Sequence, residues 1–149
     1  MKCSSKDGIV HVWDVPIGAV APHPDAKPLK ISYFTKDDQC DLTSLDWSCD
    51  GQLLAIGSYD SILRVCTPSG KLYYSHKQHE VKNSGLGMIY DTYLFYVEKG
   101  PIFAAKFNKS GTLLVTASLD GTSCLWNMKT KELMLQYKRH SGNVFLKSN

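Results

Sequence analysis

The sequence predicts an all-β fold of repeated, four-stranded antiparallel units, and three observations lead to it. A stretch beginning at Asp41 recurs without gaps 60 residues later, at Pro101. Both copies consist of strand-length apolar or alternating runs set off by turn pairs, Asp50-Gly51 in one and Ser110-Gly111 in the other. Nowhere does the apolar pattern take up a helical period.

The elements follow in order. Asp41-Leu-Thr-Ser-Leu-Asp-Trp47 lies over Pro101-Ile-Phe-Ala-Ala-Lys-Phe107 as the first strand, with alternate residues facing opposite ways. Leu53 to Ile56 and Leu113 to Thr116 are apolar runs that read as second strands. Ile62 to Cys66 and Thr122 to Trp126 are the third, after turns at Asp60-Ser61 and Asp120-Gly121. Lys71 to His76 and Glu132 to Tyr137 are the fourth, behind turn-forming stretches at Pro68-Ser69-Gly70 and Met128 to Lys131. A partial copy opens the chain as Lys6-Asp7-Gly8-Ile-Val-His-Val-Trp13-Asp14, a third strand. The Pro-rich stretch from Pro16 to Pro28 then reads as a connection to a fourth strand, Leu29 to Phe34.

Four antiparallel strands per unit, an Asp in the turn before the third strand and a Trp at its end resemble the WD40 repeat. The implied fold is an incomplete WD40 β-propeller of about two four-stranded blades, with partial blades at both ends. The units are residues 1–40, the end of a blade with its Pro-rich loop; 41–79, a blade; 80–98, an insertion; 99–140, a blade; and 141–149, the start of the next. An offset of 60 exceeds the repeat's usual 40–45 residues. Without the nineteen residues from Glu80 to Glu98 it becomes 41. That stretch is aromatic and apolar, unlike an exposed loop. It reads equally as a translated intron or as a functional rim loop, and peptides spanning Asn83 to Val97 would exclude the intron.

The resemblance also implies a buried hydrogen-bond network joining a His before the first strand, a Ser or Thr on the second, the turn Asp and the third-strand Trp. The last unit carries the set as His79, Thr116, Asp120 and Trp126. The middle unit retains only Asp60, since Asp38, Ile56 and Cys66 replace the others, and is expected to rely on apolar packing. The opening copy retains Asp7 and Trp13. The wording of the two fuller units, with Leu45-Asp46-Trp47 and Gly100-Pro101-Ile102-Phe103-Ala104, is similar to the transducin-β-like family. Those proteins are corepressor subunits of nuclear histone-deacetylase complexes. The resemblance implies a non-catalytic scaffold in the nucleus, with the cytoplasm as the alternative. Its partners would be corepressor and deacetylase subunits and histone tails. Ubiquitin-ligase substrate receptor and trafficking scaffold are the other adaptor readings.

Composition excludes several other classes. With 43% hydrophobic and 11% aromatic residues in 149, the chain can bury a core and is not a disordered tail. A net charge of +3 is spread along the sequence instead of gathered in a stripe, which argues against direct nucleic-acid binding. Five cysteines, an odd number with no C-x-x-C pair, fit free thiols in a reducing compartment. The apolar stretch from Leu86 to Val97 is too short to span a bilayer, and the first residues lack the apolar core of a signal peptide. His76 and His79 have metal-like spacing without further ligands, so no metal or other cofactor is expected. The Thr116, Asp120 and His79 set is read as structural, so no catalytic residue is expected. Two blades leave flat apolar faces uncovered, and the chain by itself is expected to be marginal in stability or prone to associate.

Overall fold

The computed structural model describes residues 2–4, 8–15, 18–19, 25–34, 40–77 and 100–138. These form eleven strands in three antiparallel sheets. The first sheet holds β1 (Lys2–Ser4), β2 (Ile9–Val12) and β3 (Leu29–Ser32) in that order. The second runs β4 (Leu42–Trp47), β5 (Leu54–Ser58), β6 (Ile62–Cys66), β7 (Leu72–Lys77), and the third β8 (Ile102–Phe107), β9 (Leu113–Ser118), β10 (Thr122–Asn127), β11 (Glu132–Lys138). Within each sheet every strand pairs with the next in sequence, and in the second and third sheets short turns join them at little entropic cost.

The two full sheets repeat each other down to their irregularities. Register slips between Leu42 and Ser44 and, 60 residues on, between Ile102 and Ala104. It slips again between Val65 and Cys66 and between Leu125 and Trp126. Bulges add local twist, and two at matching places give both sheets the same curvature. The turns also match: Ser48 N donates to Leu53 O at 2.8 Å and Asn108 N to Leu113 O at 3.0 Å.

Strand alternation makes the second sheet the filling between the other two. Leu54, Ile56 and Cys66 face the first sheet and pack with Val10 and Ile31. Ala55, Leu63 and Val65 face the third and pack with Ile102, Ala105, Leu114, Cys124 and Trp126. A strand buried on both faces must be apolar at odd and even positions alike, which is why β5 reads as a continuous run and not as an alternation. Tyr33 ties the first sheet to the second by donating its hydroxyl to Gly70 O at 2.8 Å. Burial, with Cys66 alongside, pushes its phenol well above the usual range, so it remains a donor.

The opening copy differs from the sequence expectation in one respect. Lys2–Ser4 pair with β2 as a second strand, where the sequence suggested nothing before the third. Three residues, Lys-Cys-Ser, are too few to show an alternation. Stretch 80–98, His79, Asp7 and the segment 141–149 lie outside the described residues.

Candidate functional site

In the third sheet, Thr116 on β9 stands opposite Cys124 on β10, with Trp126 two residues further along the same face. Both Thr116 and Trp126 are fully buried, and the indole Nε1 donates to Thr116 Oγ1 at 3.0 Å. At the other end of the strand pair, Asp120 closes the turn into β10. Its Oδ1 accepts from Thr122 N at 2.9 Å and from Thr122 Oγ1 at 2.7 Å, while Ser118 Oγ donates to Gly100 O at 2.8 Å. The structure thus joins Trp126 to Thr116 and puts Asp120 in the turn. His79, the fourth expected member, is outside the described residues. A threonine with no exposed surface and its oxygen engaged by an indole cannot meet a substrate.

The middle sheet departs from expectation. It does not rest on apolar packing alone, because Arg64, which pairs with Ile56 across β5 and β6, is buried at 8% exposure. Its guanidinium makes a two-pronged contact with Asp60, Nη2 to Oδ2 at 2.6 Å and Nη1 to Oδ1 at 3.2 Å. Nη1 also donates to Ser58 Oγ at 3.0 Å. Ser58 Oγ in turn donates to Asp60 Oδ1, which accepts from Ile62 N at 3.0 Å as well. The ring of Phe34 lies 4.6 Å from the guanidinium carbon, closing the cluster from the first sheet. Burial works against the charge on Asp60, but the hydrogen bonds from Arg64, Ser58 and Ile62 outweigh it and hold the carboxyl below the ordinary carboxylate range. Cys66 fills the place of the repeat's Trp. It is fully buried, and burial pushes its thiol pKa up, which leaves it inert as a nucleophile.

Arg64 and Ser58 are the residues that the sequence reading missed. The signal was present: a lone arginine inside the apolar run Ile62-Leu-Arg-Val-Cys66 needs a counter-charge, and Asp60 stands four residues before it.

The junction between the second and third sheets is aromatic at its outer side and polar at its inner side. The Trp126 ring lies 4.7 Å from that of His76 and 6.3 Å from that of Tyr74, both on β7. On the inner strands, Ala105 N donates to Ser44 Oγ at 3.1 Å and Phe107 N to Asp46 Oδ2 at 2.9 Å. Lys106 Nζ pairs with Asp46 Oδ1 at 3.1 Å, and Thr43 donates its hydroxyl to Ile102 O. Trp13 is half-buried beside His11, with ring centres 5.8 Å apart, and helps line an open cleft of about 470 Å³ with Leu29, Lys27 and Trp47. Among the described residues no three His, Cys, Asp or Glu side chains gather in a way that could hold a metal ion, and no helix is long and apolar enough to cross a membrane.

Comparison with known proteins agrees with this geometry. The family described as "WD domain, G-beta repeat" matches residues 30–66 and 92–127. The human F-box-like/WD repeat-containing protein TBL1Y is 40% identical over 102 residues, covering 68% of this chain and 16% of its own length. The Arabidopsis thaliana WD40 repeat-containing protein HOS15 is 33% identical over 144 residues, 93% of this chain and 20% of that protein. The chain therefore spans less than a quarter of either relative. A chain in the "Crystal Structure of Mitotic Checkpoint Complex" superposes with a TM-score of 0.67 at 17% identity, over 95% of this chain and 36% of that one, which speaks to the fold alone. Repeated sheets, matched bulges and the Trp126–Thr116 pair thus belong to WD40 repeats: the chain carries consecutive blades of a WD40 β-propeller, and its sequence is similar to the transducin-β-like proteins.

Proposed function

We propose that the chain is part of a non-catalytic scaffold for protein–protein interaction and that its protein serves as a corepressor subunit of a nuclear histone-deacetylase complex. The observation that carries this reading is the 40% identity to the transducin-β-like relative over 102 residues, 68% of this chain. WD40 blades bring other proteins together through strand edges and loops, where a few anchoring side chains supply most of the affinity. The buried networks at Thr116, Trp126, Asp60 and Arg64 then have a supporting role, which is to hold the blades rigid so that the rim loops keep their places. The partners on this reading are corepressor and deacetylase subunits and histone tails, without direct contact to nucleic acid or membrane. The place of work is the nucleus, with the cytoplasm as alternative.

A second reading is a ubiquitin-ligase substrate receptor, favoured by the words "F-box-like" in the relatives' names. A trafficking scaffold is the remaining adaptor role. Affinity purification of the full-length tagged protein from its own cells separates these readings. Histone-deacetylase activity in the eluate is the expected result. An eluate without it that contains cullin adaptors overturns the corepressor reading in favour of the second.

A further inference from the structure

Building on the scaffold reading, we propose that the rim where β7 and β11 begin is a docking surface for an acidic peptide segment of a partner protein, anchored there by apolar side chains. In each full sheet the outer strand carries one residue more than its neighbour can pair. Tyr73 falls between the pairs Cys66–Leu72 and Val65–Tyr74, and Met134 between Trp126–Leu133 and Leu125–Leu135. A bulge leaves its extra residue unpaired and re-aims the side chain. Here both extra residues are large and apolar, Tyr73 being 36% exposed and Met134 50%, and an exposed leucine precedes each, Leu72 at 43% and Leu133 at 40%. Trp126, opposite Leu133, packs against the second sheet, so this strip lies along the internal junction of the second and third sheets.

Tyr73 is held in place from the neighbouring sheet. Its hydroxyl donates to Met128 O at 3.3 Å. Lys131 Nζ lies 4.0 Å from the centre of its ring and donates to Tyr73 O at 3.3 Å. An aromatic ring fixed in this way gives contact area at little cost in conformational entropy. The charge around it is one-sided. Lys71, Lys129 and Lys131 are exposed, and Glu132 is the one acidic residue in 67–73 and 127–134. A segment with carboxylates beside a few large apolar residues complements both features.

The bulges also decide how such a segment sits. They break the line of free N–H and C=O groups on the outer edges of β7 and β11, and lysines flank it, which discourages addition of a further strand. The contact is therefore made through side chains. Because the apolar residues follow two strand edges, they form a narrow strip that suits a peptide better than the broad plane of a lipid surface.

Selection of random peptides displayed on phage against the immobilised full-length protein tests this, with the Lys71→Glu/Lys129→Glu variant as counter-target. Enriched peptides should be acidic overall, with one or two large apolar residues. Made synthetically and labelled, they should bind less tightly as salt rises. Met134→Ser should weaken them about fivefold or more, as loss of an anchor does. The double lysine variant should abolish binding at an unchanged urea midpoint; should it fail to fold, Lys129→Glu alone probes the charge. Enrichment of basic or uncharged peptides, or of none, overturns the proposal, as do acidic peptides that bind the variants as tightly as the parent. Binding of anionic lipid vesicles with the same dependence on Met134, and no peptide enriched, overturns it in favour of a membrane. A protein that co-purifies with histone-deacetylase activity yet enriches no acidic peptide loses this site alone, and the reverse result loses the corepressor reading alone.

Discussion

Trp126 and Thr116 show why a buried polar pair has to be complete. With no exposed surface at either residue, an indole N–H deprived of its acceptor finds no water to replace it. Thr116→Val, which keeps the shape and removes the oxygen, is expected to cost about 1–3 kcal/mol in urea unfolding. The Asp60–Arg64 pair makes a different prediction, because it carries charge. The folded Asp60 carboxyl titrates below its unfolded value, so its contribution is fully present above the unfolded pKa of about 3.9 and is lost as pH falls through the folded one. The chain should therefore lose stability on acidification below about pH 4, and Asp60→Asn should remove that part of the acid sensitivity while lowering stability at neutral pH. Comparing urea midpoints of the two proteins from neutral to acid pH checks both statements. The repeat assigns a residue type to each place, which is how sequence reading put Thr116, Asp120 and Trp126 on their strands and turn; of the expected network the described residues show the Trp126–Thr116 bond. The same reading passed over Arg64 because no repeat pattern asks for an arginine there, and only the cost of burying an unpaired cation points to it.

At the scale of strands and turns, the sequence was legible wherever the two copies could be compared. Each expected strand of the two fuller units is present, with ends that move by a residue or two because hydrogen bonding and not hydropathy sets them. What stayed hidden lacked a pattern. β1 has three residues, and the bulges leave no trace in composition. The turn into the third strand shows how one copy corrects another. Gly8 and Gly121 adopt φ of 70° and 80°, while the middle unit holds Ser61 at φ 66° in the same place, where a Cβ is strained. Ser61→Gly should stabilise the protein by about 0.5–1 kcal/mol, read as a higher urea midpoint at unchanged slope. A lower midpoint would show that the serine side chain outweighs the backbone strain.

For the described residues as a whole, the decisive feature is that the second sheet is covered on both faces, by the first sheet on one side and the third on the other. Each sheet alone is a flat layer with little reason to fold, and stability arises at the junctions, as in other repeat arrays. The aromatic contact of Trp126 with His76 and Tyr74 and the bonds from Ser44 and Asp46 make one such junction. The β1–β3 sheet has fewer strands and covers the other side. If the blades hold one another in this way, the second and third sheets open together or not at all. Native-state hydrogen exchange of the amides in β5, β6, β9 and β10 measures this directly. The slowest amides of both sheets should report one common opening free energy. A third sheet whose amides exchange through a separate, distinctly cheaper opening, while β5 and β6 stay protected, would contradict the account.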